Sequence, residues 1–197
     1  MASLTRAFVA VLLDDDVRAR LAEAVDRLRP LAPDVAWVAA GNLHLTLKFL
    51  GGVEPARLPA IEAALTTAAA SQSPFDLDIH GLGAFPSGTR ARVLWAGVEA
   101  GREAAAALAG GVDEALAALD FPRETRPFAA HVTLGRVRAP RANPRLAQAL
   151  DAGAIFGRQR VARVSLMRSD LSPRGARYTE LAGLSLMGAP TWPPNPP

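Results

Sequence analysis

The chain has 197 residues, half of them hydrophobic, and a net charge of +3 at neutral pH, so it can bury a core but lacks the dense basic surface of a duplex-binding protein. It contains no cysteine, which excludes disulfides, thiol catalysis and cysteine-ligated zinc. It has no apolar run of about 18 residues, as a membrane span requires, and no signal-peptide cleavage site after the apolar stretch 7–13, so we expect a cytoplasmic protein.

Apolar residues recur at strand and helix periods through the first half of the chain. A run rich in Val, Leu and Phe predicts a first strand, and the three aspartates after it predict the start of a helix that ends before Pro30. Gly51 and Gly52 are expected to end the strand before them. The predicted elements are a strand over 6–13, a helix from 17, strands over 35–38 and 44–50, and a helix opened by Pro55.

The second half continues this alternation of strands and helices. Apolar and polar residues alternate over 75–80, which predicts a half-buried strand, and residues 81–88 are predicted to form a loop. The other predicted elements are a strand over 93–98, a helix over 101–119, a strand over 128–137, a short helix after Asn143 and Pro144, and strands over 161–168 and 177–186 around a turn at 172–175.

The order strand, helix, histidine-bearing strand, helix thus occurs twice, which indicates an internal duplication. We predict an α+β fold, a single bilobal domain over residues 1–189, with two antiparallel sheets flanked by helices and a central cleft. Since such a domain can bury its own core, we expect a monomer. The tail over 190–197 holds five prolines in eight residues and is expected to be extended or disordered.

The most specific pattern is a repeated histidine motif. Two of the three histidines are followed by threonine two places on and leucine three places on, in the segments HLTL (44–47) and HVTL (131–134). In a strand, residues i and i+2 share a face. His44 and Thr46 should therefore lie on one face, opposite Leu45, Leu47 and Phe49. The second motif follows the same alternation, so each strand is predicted to have an apolar back and a His/Thr front.

Two His/Thr pairs in one cleft are suited to acid/base chemistry at phosphorus. A neutral imidazole accepts a proton and a charged one donates it, so His44 and His131 can divide the two roles. The hydroxyls of Thr46 and Thr133 can donate hydrogen bonds to a tetrahedral oxyanion between them. An in-line displacement at phosphorus needs a base on one side and an acid on the other, and this scheme requires no metal ion.

Other polar and aromatic side chains are less informative. His80 is interpreted as structural, because no threonine accompanies it. Lys48 shares a face with His44 in a flat strand, but solvent exposure is an equal alternative. By simple alternation Arg136 lies on the face opposite His131, although a strand end or a β-bulge would turn its side chain inward. Arg126 is equally consistent with a surface charge. The aromatic residues favoured as core are Phe8, Trp37, Phe128 and Tyr178.

At these residues the sequence resembles the two-histidine phosphoesterases, specifically the LigT-like RNA 2′,3′-cyclic phosphodiesterases once called 2′-5′ RNA ligases. The resemblance spans almost the whole chain. Its segments are RAFVAV, WVAAGNLHLTLKFLGGV, GLGAFPSGTRARVLWAGV, RPFAAHVTLGRVR and SLMRSDLSPRGARYTEL. Two departures are Ala130, where the family often has proline, and Gly135, where alanine is common.

The resemblance implies a bilobal α+β fold and an enzyme that opens terminal 2′,3′-cyclic phosphates of RNA, or 2′,3′-cyclic nucleotides, to leave a 2′-phosphate. By that analogy His44 is the proton donor to the departing 3′ oxygen and His131 is the proton acceptor that activates water. Thr46 and Thr133 hold the phosphate, with Arg136 assisting, and no cofactor or metal is needed. The assignment of acid and base comes from the family, because the spacing does not distinguish the two histidines.

Three alternatives stay open at this stage. The same chemistry run in reverse would join RNA ends through 2′-5′ bonds. A protein that binds RNA ends or nucleotides without catalysis would need the same cleft but neither imidazole. A hydrolytic zinc enzyme would need a third ligand, and none is evident near the histidine pair.

Overall fold

The computed structural model describes residues 3–150, 153–173 and 175–188. Within these residues the chain forms nine strands and four α-helices. The strands are β1 (Thr5–Leu12), β2 (Val35–Trp37), β3 (His44–Val53), β4 (Phe75–Phe85), β5 (Val93–Val98), β6 (His131–Val137), β7 (Ile155–Val161), β8 (Arg163–Ser172) and β9 (Gly175–Ser185). The helices are α1 (Asp15–Leu28), α2 (Leu58–Ala70), α3 (Arg102–Ala117) and α4 (Pro144–Ala149).

The strands form one antiparallel sheet in the order β7-β4-β5-β6-β3-β1-β8-β9, with β2 paired to β6. The two histidine strands, β6 and β3, lie side by side at its centre. The predicted repeat is present as β1-α1-β3-α2 and β5-α3-β6-α4, with β2 between α1 and β3. The α+β class is therefore confirmed. The two predicted sheets are joined into one, because Leu45 pairs with Val132 across the centre.

Apolar side chains on the back of the sheet form the main core together with the helices. Leu45, Leu47, Val132 and Leu134, the apolar residues of the two motifs, are all buried there. Burying one such side chain stabilises the fold by about 1.5–3 kcal/mol. Helix α1 packs against β7, α2 against α3 and β9, and α3 against β3. This packing holds the two motif strands from behind and leaves their polar front free.

A β-bulge interrupts each motif strand at the same place. Ala10 pairs with Thr46 but Val9 pairs with Lys48, so one extra residue lies between them on β3. On β6, Trp95 of β5 pairs with Thr133 but Leu94 pairs with Gly135. An extra residue reverses the alternation of side chains beyond it. The two residues directly after each motif, 48–49 on β3 and 135–136 on β6, therefore lie on the face opposite to the one that simple alternation predicts.

This reversal corrects the prediction for Phe49. Simple alternation placed it on the apolar back with Leu45 and Leu47, but its side chain is 58 % exposed. The back position beyond the bulge belongs instead to Lys48, which is buried.

Strand boundaries also differ from those predicted. β3 does not end at Gly51 and Gly52, because both residues continue to pair with β1. β4 runs to Phe85 through the segment predicted as a loop, since its pairing with β5 continues to Val93. β7 was not predicted, because Gly157 and two arginines mask its alternation. The predicted tail, 190–197, lies outside the described residues, as does Arg174 in the predicted turn.

Gly135 allows β2 to lie close to β6. A Cβ atom at this position would be 2.6 Å from Val35 Cγ1 and 3.1 Å from Trp37 Cε3. This close approach explains why a residue without a side chain stands here. Among the described residues, no helix combines the length and the apolar character that crossing a membrane requires.

Candidate active site

The front of β3 and β6 borders a cavity of about 1010 Å³. The five residues that the sequence analysis proposed for the site all line it: His44, Thr46, His131, Thr133 and Arg136. The two central strands therefore bring both His/Thr pairs into one cleft, as the alternation of each motif predicts.

His44 is held in one tautomer by its surroundings. Its Nδ1 lies 2.7 Å from the carbonyl oxygen of Asn42, and because a carbonyl only accepts, Nδ1 carries the hydrogen. Its Nε2 lies 2.9 Å from Thr46 Oγ1, so the hydroxyl donates to this nitrogen when the ring is neutral. The ring also contacts Phe8, with centroids 4.9 Å apart, and lies nearly perpendicular to the ring of Tyr178, at 5.3 Å.

This aromatic enclosure changes the acidity of the ring. Burial lowers the pKa of His44 below the ordinary 6.5, although the hydrogen bond to the Asn42 carbonyl opposes the shift. A protonated His44 is consequently a stronger proton donor than an exposed imidazolium.

His131 is held by an equivalent backbone contact. Its Nδ1 lies 2.7 Å from the carbonyl oxygen of Ala129, two residues upstream, as Asn42 is from His44. The ring lies nearly perpendicular to the ring of Phe85, with centroids 5.2 Å apart. Both histidines thus donate Nδ1–H to a carbonyl and keep Nε2 for proton exchange. Sequence reasoning missed these carbonyls, since a backbone group has no side-chain signature.

Arg136 reaches the cleft because of the bulge in β6. In a flat strand it would lie opposite His131, but the extra residue between Thr133 and Gly135 reverses its direction. It is exposed and lines the cavity. Its guanidinium suits the planar, two-point recognition of phosphate oxygens. Arg126 lines the same cavity from the segment that precedes β6.

Lys48, the chain's only lysine, is buried at the border of the cavity, because the bulge in β3 turns it toward α3. Its side chain is 2 % exposed, and Nζ lies 2.5 Å from Asp113 Oδ1 and 2.7 Å from the carbonyl oxygen of Pro122. Asp113 also accepts a hydrogen bond from the backbone N–H of Glu124. This network ties β3 to α3 and to the segment before β6, part of which forms a wall of the cleft.

His80 lies outside the residues that line the cavity, with Nδ1 3.7 Å from Glu99 Oε2. The described residues contain no group of three or more His, Asp or Glu side chains arranged to hold a metal ion. Phe8, favoured as core, is buried, but it packs in a small cluster with Ala10 and Met167 beside His44 rather than in the main core.

The family model described as the 2′-5′ RNA ligase superfamily matches residues 14–173. The chain belongs to this superfamily. The resemblance drawn from its sequence motifs is thereby confirmed.

Individual members of the superfamily match over nearly their full length. An RNA 2′,3′-cyclic phosphodiesterase of Methanothermobacter thermautotrophicus is 36 % identical over 178 residues, which is 89 % of this chain and 96 % of the relative. The crystal structure of TT0787 of Thermus thermophilus superimposes with a TM-score of 0.78 at 35 % identity, covering 93 % of this chain and 98 % of that one. The crystal structure of Escherichia coli LigT complexed with 3′-AMP gives a TM-score of 0.75 at 26 % identity, with coverage of 93 % and 98 %.

In this superfamily member, the enclosure of His44 predicts a pH-dependent stability. Because the folded pKa of His44 is lowered, the unfolded chain binds more protons near pH 6, and the free energy of unfolding rises with pH. The contribution of His44 to the free energy of unfolding is complete above its ordinary pKa of 6.5. It declines as the pH falls toward the pKa in the folded state. NMR titration of the imidazole signals should place the midpoint of His44 below 6.5.

The matched variant is His44→Gln, which cannot titrate in this range. Urea unfolding of both proteins between about pH 5 and 8 should show a weaker pH dependence in the variant. A midpoint for His44 at or above its ordinary value would contradict the prediction.

Proposed function

We propose that the cleft hydrolyses the terminal 2′,3′-cyclic phosphate of RNA, and 2′,3′-cyclic nucleotides, to a 2′-phosphomonoester. The observation that carries this proposal is the pair of imidazoles on adjacent strands, each with Nδ1 bound to a carbonyl two residues upstream. The relatives named RNA 2′,3′-cyclic phosphodiesterase support the same activity. The complex of Escherichia coli LigT with 3′-AMP supports a nucleotide-sized ligand.

The proton transfers can be assigned to named atoms. Nε2 of His131 accepts a proton from water as the water oxygen attacks phosphorus. The bond between phosphorus and the 3′ oxygen breaks, and Nε2–H of His44 protonates that oxygen. The product keeps the phosphate on the 2′ oxygen, and exchange with solvent then restores both histidines. Each positioned group of this kind contributes about 10²–10⁴ to the rate.

The remaining predicted residues stabilise the negative charge that develops on the phosphate. The hydroxyls of Thr46 and Thr133 donate to its non-bridging oxygens, and the Arg136 guanidinium neutralises it. In the neutral state the Thr46 hydroxyl donates to His44 Nε2. Once His44 is protonated, Nε2 becomes a donor itself, so the hydroxyl is released and can turn to the phosphate.

Two further proposals concern the oligomeric state and the cellular location of the enzyme. We propose that it acts as a single-domain monomer, because the buried core is formed within one chain. We also propose a cytoplasmic location, which the absence of cysteine from the sequence supports.

Phosphorus NMR of a 2′,3′-cyclic mononucleotide incubated with the protein in excess chelator tests this proposal. We expect the cyclic signal to be replaced by a phosphomonoester signal at the 2′ position. A 3′-phosphate product would exchange the leaving oxygen and contradict the assigned direction of ring opening. An unchanged signal, repeated with an RNA that ends in a cyclic phosphate, would overturn the enzymatic assignment in favour of a binding protein.

A further inference from the structure

Asn42 connects the proposed proton donor to the hairpin formed by β8 and β9. It ends a single 3₁₀ turn, Ala40–Asn42, one residue before β3. Its backbone carbonyl accepts Nδ1–H of His44 at 2.7 Å, and its side-chain Nδ2 donates to the carbonyl oxygen of Ala176 on β9 at 2.6 Å. Because a carbonyl only accepts, the amide nitrogen must be the atom that faces it. Asn42 therefore binds both the His44 ring and a strand 134 residues further along the chain.

The strand that Asn42 holds also carries the ring that covers His44. Tyr178 follows Ala176 by two residues on β9, within an uninterrupted stretch of pairing with β8. The Tyr178 ring lies 4.9 Å from that of Phe8 and 5.3 Å from that of His44, and it is nearly perpendicular to the imidazole. A shift of β9 away from the 3₁₀ turn would lift Tyr178 from the imidazole, and the hydrogen bond from Asn42 to Ala176 opposes this shift.

The second histidine is held more simply. Nδ1 of His131 is bound to the carbonyl oxygen of Ala129, and the methyl side chain of Ala129 cannot form a hydrogen bond. Both halves of the sheet thus orient their imidazole through a backbone carbonyl two residues upstream. Of these two carbonyls, only that of Asn42 belongs to a residue whose side chain is itself anchored.

We propose that Asn42 is a positioning residue of the active site, whose amide hydrogen bond to Ala176 fixes the orientation of His44 and keeps Tyr178 over its ring. This inference rests on the proposed function and deepens it. Asn42 is not among the residues that line the cavity, so it acts through His44 rather than on the substrate. A misplacement of about 1 Å in a reacting group can cost about 10²-fold in rate, which is the effect that such an anchor prevents.

The enclosure of His44 gives this role a measurable property. Burial lowers the pKa of His44, while the bond to the Asn42 carbonyl raises it. Of the elements around the ring, β1 presents the uncharged Phe8, β9 presents Tyr178, and β6 carries His131 across the cleft. The charged side chains that line the same cavity are Arg6, Lys48, Asp113, Glu124, Arg126 and Arg136. Replacing Asn42 changes none of these charges, so a moved pKa of His44 reports a change in its enclosure.

Asn42→Ala tests the inference with adenosine 2′,3′-cyclic phosphate as the substrate. We expect kcat to fall by about 10- to 100-fold with little change in KM, because the variant loses the orientation of the proton donor but no contact with the substrate. NMR titration of the imidazole signals should show the midpoint of His44 moving upward, toward 6.5. The direction follows because a ring released from Tyr178 is better hydrated, and burial is the larger of the two causes of the shift.

Tyr178→Ala determines whether Asn42 acts through the aromatic cover. This variant should raise the midpoint of His44 at least as much as Asn42→Ala does. In the double variant the midpoint should be close to that of Tyr178→Ala alone, because the hydrogen bond no longer has a ring to hold in place. Additive shifts of the midpoint would contradict this coupling.

Asn143→Ala is the matched control for a merely structural effect. Nδ2 of Asn143 donates to the carbonyl oxygen of Leu31 at 2.8 Å, so it also joins two distant segments, but outside the cavity lining. Because Asn143 caps α4 as well, the loss of thermal stability should be at least as large as in Asn42→Ala. The kcat and the His44 midpoint should stay at the parent values. An equal fall of kcat in both variants would show a general loss of structure and overturn the inference.

The outcomes separate this inference from the proposed function. If the parent protein turns over the nucleotide and Asn42→Ala keeps either the parent kcat or the parent midpoint of His44, the positioning role is wrong and the activity stands. A raised KM with unchanged kcat would also overturn it, because that result indicates a lost contact with the substrate. If the parent protein does not turn over the nucleotide, the proposed function itself fails. The NMR midpoints then still decide whether Asn42 keeps the His44 ring enclosed.

Discussion

We expect that replacing either His44 or His131 by alanine will lower the rate of cyclic phosphate opening by about 10²–10⁴-fold. In the proposed mechanism each variant lacks one of the two proton transfers at phosphorus, while the threonine hydroxyls and Arg136 remain. The rate of the double variant should be little lower than that of the less active single variant, because the effects of groups that act in one step are not additive. Single-turnover kinetics with adenosine 2′,3′-cyclic phosphate measures these losses on the chemical step.

The third histidine supplies the matched control. His80→Ala removes an imidazole of the same kind that lies outside the cleft lining, beside Glu99, and should keep the parent rate. Thermal unfolding of the parent and these variants should show that the cleft variants are folded. Near-parent activity in either His44→Ala or His131→Ala would exclude the two-histidine mechanism.

Asp113→Leu destabilises the fold by about 3–5 kcal/mol, because it leaves the Lys48 ammonium buried without its counter-charge. Lys48 is almost completely enclosed, and its remaining partner is the Pro122 carbonyl. Urea unfolding at neutral pH measures the loss. Adding Lys48→Met to Asp113→Leu should restore part of the stability, since it removes the uncompensated charge.

Glu114, the next residue on α3, provides a control for the effect of Asp113→Leu. Glu114 forms an exposed ion pair with Arg123, and Glu114→Leu should have only a small effect, because exposed pairs are screened by water. A loss in Asp113→Leu no larger than that in Glu114→Leu would contradict the importance of the buried pair.

The same ion pair predicts how acid acts on the parent protein. Burial raises the pKa of the Asp113 carboxyl, but the hydrogen bonds from Lys48 and the Glu124 N–H, with the charges of Lys48 and Arg123, outweigh it and hold the pKa below 3.8. Because the pKa of Asp113 is lower in the folded state than in the unfolded state, the ionised carboxylate stabilises the fold at pH values above the unfolded-state pKa. This contribution to the free energy of unfolding is lost as the pH falls toward the folded-state pKa. The parent should therefore lose more stability than Asp113→Leu when the pH is lowered through this range.

Much of the site was predictable because its signals are local. The spacing of His44 to Thr46, and of His131 to Thr133, places each pair on one face of any strand. Alternation and helical periodicity located most elements. The α+β class and the repeated element order followed from them, and the doubled motif together with its flanking segments indicated the superfamily.

Other features depended on which strands became neighbours. The bulges in β3 and β6 are defined by the pairing of these strands with β1 and β5. The sequence of a single strand does not show which residue will be the extra one. The bulges bury Lys48 beside α3 and bring the side chains of Phe49 and Arg136 to the cleft. β7 was missed for the same reason, since its pairing with β4 supports a segment whose own alternation is weak.

By itself, then, the sequence determined the fold class, the two His/Thr faces and the superfamily, because each rests on residue spacing along one segment. Only the tertiary structure decided which side chains beyond each motif face the cleft, how the carbonyls of Asn42 and Ala129 orient the imidazoles, and that Lys48 is paired with Asp113. The physical reason is that register, backbone hydrogen bonds and burial are properties of pairs of segments, and those pairs form only when the chain folds.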